Sequence, residues 1–332
     1  MKSNTPTMKD VAKEAGVALG TVSKVFNGLP VGDSYRAKVE AAAKKLGYQV
    51  NQYARGLRAG KTYTAALILP AVDHPFFSSL SQYIHNALAR QDYRMLLYLT
   101  DRRPEREQDC IHMVQQNKVD GVIALTYNPL VIDQDLPFVS IDRSLGPDIP
   151  CVATDNYSGG KLAAEKLLEL GCKHLAFLRT GAPYPGEPDK RGDGFEMVCR
   201  TKNIPCDVLR LNGDGTTENF VEFFLSHSTG GKLDIDGIFC STDFLAERIR
   251  GILADLNIRV PEEVQIIGFD GIRKFGGLKE DLFVSSMCQP LPQLAAKCVE
   301  IITTEDRSMI PSLTLLPVTF EDGGTTRSLK KG

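Results

Sequence analysis

The chain has 332 residues and a formal net charge of −2, with eight Cys, five His and no Trp. That length exceeds one hydrophobic core and provides for two or three domains. No apolar run is long enough to span a membrane and MKSNTPTMKDVAKEAG lacks the apolar core of a secretion signal, so a soluble cytoplasmic protein is expected. The Cys never fall in a C-x-x-C pair and the His are scattered. Buried reduced thiols are expected, with no metal and no cofactor.

The charge is unevenly placed. Residues 1–62 carry eleven Lys and Arg against four acids, a net +7, which leaves −9 for the rest. A basic head on an acidic body suits a polyanion-binding head, although a solvated lysine-rich helix would give the same count.

The head reads as three short helices. Thr7 caps the first, with Asp10 three residues on, and Val11, Ala12 and Ala15 face inward. Gly16 and Val17 turn the chain into a second helix whose inner face is Val22, Val25 and Phe26. Its outer face, Leu19, Gly20, Thr21, Ser23 and Lys24, is a poor surface for an ordinary helix, since Gly costs about 1 kcal/mol against Ala. Residues DSYRAKVEAAAKKLGY form the third helix, with Val39, Ala42, Ala43 and Leu46 inward and Gly47 as its stop. These are the parts of a helix-turn-helix unit. The following NQYARGLRAGKT is a marginal helix alone.

From Tyr63 onward, apolar runs of strand length alternate with amphipathic helices. The runs are TAALILP, RMLLYLT, GVIALT, FVSID, CVATD, HLAFLRT, CDVLRL, GIFCST, VQIIGFD, FVSSM and SLTLLPVTF. Continuous apolarity indicates strands buried on both faces, and the alternation indicates parallel, doubly wound sheets. VDGVIALT at 119–126 is echoed by IDGIFCST at 235–242, each after strand, helix, strand and helix. Two similar α/β lobes follow, with a ligand cleft at the carboxyl ends of their strands.

Enzyme signatures fail on spacing. SGGKLA has Asp155 and Leu162 where a phosphate-binding loop needs Gly and Ser or Thr. DIDG has Lys232 where a calcium loop needs its first acid. No nucleophile elbow, zinc-protease motif or dinucleotide fingerprint stands in context. The chain is not expected to be an enzyme.

The segments TMKDVAKEAGVALGTVSKVFNG, KVEAAAKKLGYQVNQYARGLRAGKT, LILPAVDHPFFSSL, TDNYSGGKLAAEKLLELG, RGDGF, STDFLAERI and VQIIGFDG occur in this order. Together they resemble the LacI/GalR family of bacterial transcription regulators over nearly the whole chain. The resemblance implies a helix-turn-helix head at 1–49, a hinge helix at 50–62 and a two-lobed body like a periplasmic binding protein at 63–332. The first lobe spans about 63–155 plus 288–316, the second about 156–287 plus 317–332. The resemblance also implies a homodimer on a near-palindromic operator in double-stranded DNA, controlled by a small molecule, a sugar or sugar derivative. A purine or nucleoside, or a protein corepressor, is the alternative; a sugar-transport protein is a second.

It further implies roles. Thr7, Leu19, Gly20, Thr21, Ser23, Lys24, Asn27 and Tyr48 would lie on DNA. Leu19 can pack on a thymine methyl and Lys24 can donate to guanine. Gly20 offers only close approach. Asn51, Ala54, Arg55 and Leu57 match the hinge, with Leu57 an apolar wedge in the minor groove. In the body, Arg191 would hold effector hydroxyls, Asp142, Asp243 and Asp270 would accept from them or cap helices, and Gln289 would join the pocket. Phe76 and Phe77 would give an apolar platform or plain core.

Overall fold

Helix α1 (Met8–Ala15) starts where the backbone N–H and the hydroxyl of Thr7 both donate to Asp10 Oδ2, at 2.8 and 2.7 Å. It ends on Gly16 at φ 64°, a left-handed turn that a Cβ would disfavour. Helix α2 (Leu19–Phe26) follows, then α3 (Asp33–Leu46), stopped by Gly47 in the same conformation. Val11, Ala12, Val22, Val25, Val39, Ala42 and Ala43 form one small core between the three helices. The computed structural model describes residues 6–26, 29–48, 61–126, 128, 130, 132, 136–181, 186–274 and 281–327. The chain divides into two compact units between Tyr63 and Thr64.

The second unit holds two six-stranded sheets. The first lobe contains β1 (Thr64–Leu69), α4 (Pro75–Ala89), β2 (Arg94–Leu99), α5 (Pro104–Gln116), β3 (Gly121–Ala124), β4 (Phe138–Ile141) and β5 (Cys151–Thr154). The second lobe contains α6 (Asn156–Glu169), β6 (Leu175–Arg179), α7 (Lys190–Thr201), β7 (Cys206–Arg210) and α8 (Thr217–Ser226). A small antiparallel pair, β8 (Ser228–Thr229) and β9 (Lys232–Leu233), precedes β10 (Gly237–Cys240), α9 (Asp243–Asp255), β11 (Gln265–Asp270) and β12 (Ser286–Cys288). The chain then returns to the first lobe with α10 (Leu291–Thr303) and β13 (Leu313–Leu316), and ends in the second with β14 (Thr319–Glu321).

The strand orders are β13-β5-β4-β3-β1-β2 and β14-β12-β11-β10-β6-β7. The repeated VDGVIALT and IDGIFCST therefore supply β3 and β10, which occupy the same place in the two sheets. Pleating sends alternate residues to opposite layers. On β1, Ala65, Leu67 and Leu69 join one core, Ala66 and Ile68 another. The second sheet is likewise covered on both faces.

Several expectations need correction. SLTLLPVTF is two strands in different sheets, β13 and β14, interrupted at Pro317, which has no N–H to continue a ladder. Strand β14 pairs antiparallel with β12, so the second sheet is not wholly parallel. FVSSM is displaced as well: the ladder begins at Ser286, because Ser285 N–H instead donates to Thr325 Oγ1 at 2.8 Å. Burial on both faces fails at sheet edges, where Leu97 and Leu99 of β2 and Leu313 and Leu315 of β13 are exposed.

Gly251 lies inside α9, and a Cβ there would meet nothing within 4 Å. Gly251→Ala is expected to stabilise the body by about 0.5–1 kcal/mol, through lower unfolded-chain entropy and better helix propensity. Thermal unfolding of the two proteins side by side measures it.

Candidate functional site

In the head, Leu19 is 40 % exposed, Gly20 and Lys24 are exposed, and Thr21 and Ser23 are half-buried along α2. Ala18 contributes its carbonyl to Thr21 N–H at 2.9 Å and no side-chain cap. The start of α2 thus presents side chains outward, as a major-groove reading helix requires. Thr7 is exposed beside Asp10, and Tyr48 packs its ring 5.4 Å from that of Phe26. Asn27, Asn51, Ala54, Arg55 and Leu57 lie outside the described residues.

In the body, Arg191, Asp142, Asp270, Asp243 and Gln289 are all brought to the carboxyl ends of the strands, and all are buried. Asp142 follows β4 and Asp270 ends β11, equivalent strands of the two sheets. Both have positive φ, 59° and 120°. Asp tolerates the first readily, whereas the second is a strained conformation of the kind that gathers at binding sites.

Arg191, the second residue of α7, lies between the acids. Its Nε donates to Asn156 Oδ1 at 2.7 Å and its Nη1 to the Ser241 carbonyl at 2.6 Å. Nη1 also lies 3.7 Å from Asp270 Oδ1, and the guanidinium covers the Phe269 ring at 3.6 Å. Gln289 ties both lobes together: its Nε2 donates to Asp270 Oδ1 at 2.8 Å and its Oε1 accepts from Thr154 Oγ1 at 2.6 Å. Asp243 is braced internally, accepting from Ile272 N–H and Ser286 Oγ at 2.6 Å each. It does not cap its helix; Thr242 does, accepting from Leu245 N–H at 3.1 Å.

One guanidinium among three buried carboxylates leaves an acid-rich site. Burial pushes Asp142 up to about 6 and Asp270 up to about 7, each partly held back by Arg191. Burial, then Asp270, raises Asp243 well above the carboxylate range. Burial lowers Arg191, opposed by Asp270, Asp142 and Asp243. Among the described residues, Asp142 Oδ1, Ser241 Oγ and Thr126 Oγ1 are buried without a hydrogen-bond partner. Each such atom costs about 1–3 kcal/mol and is an open position for a ligand hydroxyl.

Phe76 and Phe77 are 7 and 5 % exposed, as buried as Arg191 and Asp142, and pack with the first lobe's core. Phe244 of α9 is exposed, at 62 %. Sequence reasoning also missed Asn156, Thr154 and Ser241 as partners of the cluster. Asn156 is placed by close helix packing. A Cβ on Gly160 of α6 would lie 1.9 Å from the Arg191 carbonyl oxygen, and one on Gly194 of α7 2.0 Å from that of Tyr157. SGGKLA is therefore a packing motif, and its glycines bring Asn156 within reach of Arg191.

A helix with its start facing outward in the basic unit and a buried charged cluster at the strand ends of the other fit a ligand-responsive DNA-binding regulator. Residues 7–51 match the family model for bacterial regulatory proteins of the lacI family, and residues 62–297 that for periplasmic binding proteins and the sugar binding domain of the LacI family. The chain belongs to the LacI family and is a DNA-binding transcriptional repressor. It is 31 % identical to the sucrose operon repressor of Streptococcus mutans, over 95 % of this chain and 98 % of that one. It is 29 % identical to the ribose operon repressor of Bacillus subtilis, over 97 and 98 %. In fold it resembles the Lac repressor dimer bound to operator and the anti-inducer ONPF, with a TM-score of 0.80 at 19 % identity over 98 and 100 %. Among the described residues no helix is long and apolar enough to cross a membrane.

Proposed function

We propose that this repressor is a cytoplasmic homodimer without catalytic activity, gripping a near-palindromic operator and answering to a sugar or sugar derivative. The effector lies among Asp142, Arg191, Asp243, Asp270 and Gln289, between lobes divided at about 155/156, 287/288 and 316/317. The observation that carries this reading is the buried Arg191 fork among acids drawn from both sheets, beside the unpartnered Asp142 Oδ1 and Ser241 Oγ. Vicinal hydroxyls both donate and accept, which suits such a set. The names of the sucrose and ribose repressors support a sugar.

A homodimer is supported by apolar side chains left exposed on the first lobe, Tyr83, Leu97, Leu99 and Met113, and by Leu225 of the second. On DNA, Leu19, Thr21, Ser23 and Lys24 read or hold the major groove, with Thr7, Gly20, Asn27 and Tyr48 beside them. The hinge residues Asn51, Ala54, Arg55 and Leu57 fold into the minor groove. A coupling of about 1–3 kcal/mol would then change operator affinity about 5–150-fold.

Calorimetry of the full chain with sucrose, D-ribose and adenosine tests the effector. Heat with a sugar, and a changed operator affinity in its presence, is expected; heat with adenosine alone replaces the sugar by a nucleoside. For the hinge, Leu57→Ala is expected to weaken operator binding at least tenfold while sparing nonspecific DNA. Equal losses on both DNAs remove the wedge.

A further inference from the structure

The strongest unassigned feature is an aromatic pair spanning the two lobes. His74 precedes α4 in the first lobe, and Phe244 is the second residue of α9 in the second. Their ring centroids are 5.5 Å apart at 54°, inside the range where aromatic rings attract. His74 also lies 5.5 Å from the ring of Phe77, which is core. Phe244 is nonetheless 62 % exposed, so one part of its ring meets His74 and the rest faces outward.

Both rings stand on fixed bases. His74 Nδ1 accepts from Phe76 N–H at 3.2 Å, capping α4 and orienting the imidazole. Phe244 follows Asp243, whose carboxylate is held by Ile272 and Ser286, and Thr242 caps the same turn. Burial and the nearby Arg102 guanidinium push His74 below its ordinary range, so the ring is neutral near pH 7. The contact thus joins two helix starts at the carboxyl ends of opposite sheets, and separating the lobes must break it.

We propose that Phe244 and His74 form a latch across the cleft, setting how readily the lobes close and how long an effector stays, without recognising the effector themselves. The proposal rests on the cleft being the effector site. Phe244 is then a positioning residue. Its loss should act on release and closure, while the polar groups around Arg191 continue to choose the ligand. An aromatic contact of this kind is worth about 2- to 10-fold in a closing equilibrium.

The chain has no Trp, so Phe244→Trp places a single indole at the latch. In that protein, without ligand, acrylamide quenching is expected to rise about 1.2- to 1.6-fold when His74→Ala is added, the ceiling for a ring already 62 % exposed. Equal quenching with and without His74 overturns the latch. In the otherwise native chain, with sucrose as probe, Phe244→Ala should speed sucrose dissociation about 2- to 10-fold, and Phe244→Tyr should restore it. Unchanged dissociation in Phe244→Ala also overturns the latch. If sucrose gives no heat with the native chain, the sucrose reading fails, and the latch is judged by the indole quenching alone.

Discussion

Arg191→Ala is expected to abolish the response to effector and to destabilise the body by about 3–5 kcal/mol at pH 8, and by clearly less at pH 6. The magnitude follows from removing one partner of a buried ionic cluster, which leaves the other charges uncompensated. Arg191 is 4 % exposed, bonds Asn156 and the Ser241 carbonyl, and faces Asp142, Asp243 and Asp270. The pH dependence follows from the acids. Asp142 and Asp270 are raised in the folded state to about 6 and about 7 from an ordinary 3.8. Groups raised in this way stabilise fully below their unfolded value, and that stability is lost as pH rises through the folded one. Arg191 holds both values down, so its removal lifts them further and extends the loss above pH 7. At pH 6 the orphaned carboxyls bind protons and escape much of the penalty. Thermal unfolding of the full chain at both pH values reads the difference. A loss equal at pH 6 and pH 8 would show that the guanidinium acts by packing on Phe269 and not by charge.

The cluster also marks the limit of what a linear reading recovers. The equivalence of β3 and β10 in the two sheets was legible because each lobe repeats the same apolar run behind Asp-Gly. Asp142, Asp243 and Asp270 were legible because each follows such a run. What local pattern could not carry is the switch at Pro317, since SLTLLPVTF is apolar throughout while its halves pair with different sheets. Nor could it show that Ser285 turns from the ladder to the 322–326 turn, a contact made across about forty residues. Asn156 became part of the site only through helix packing that glycine permits, and Ser241 only through its backbone carbonyl just past β10. Phe76 and Phe77 show the converse: aromatic rings at a strand's end can serve a core as well as a ligand, and local pattern does not divide the two roles.

Gly160→Ala is expected to cost about 3 kcal/mol or more and to weaken effector binding at least tenfold, although it adds only one methyl. The new Cβ would lie 1.9 Å from the Arg191 carbonyl oxygen and 2.8 Å from its carbon. Both are backbone atoms of α7, so no rotamer change relieves the overlap, and the cost passes the usual range for overpacking. Helices α6 and α7 must separate. The face continues at Gly194, where Tyr157 approaches equally closely, so the helices cannot simply pivot about the first contact. Separation draws Arg191 Nε away from Asn156 Oδ1 and disturbs the fork that faces Asp270. Gly251→Ala supplies the contrast, because the same substitution in open space should stabilise. Combining Gly160→Ala with Arg191→Ala should cost less than the two losses added, since both act on one contact. Melting temperatures of the three single variants and this double variant test the account. A Gly160→Ala protein within about 0.5 kcal/mol of the native chain would mean that α6 and α7 yield freely, and that Asn156 does not owe its position to the glycine pair.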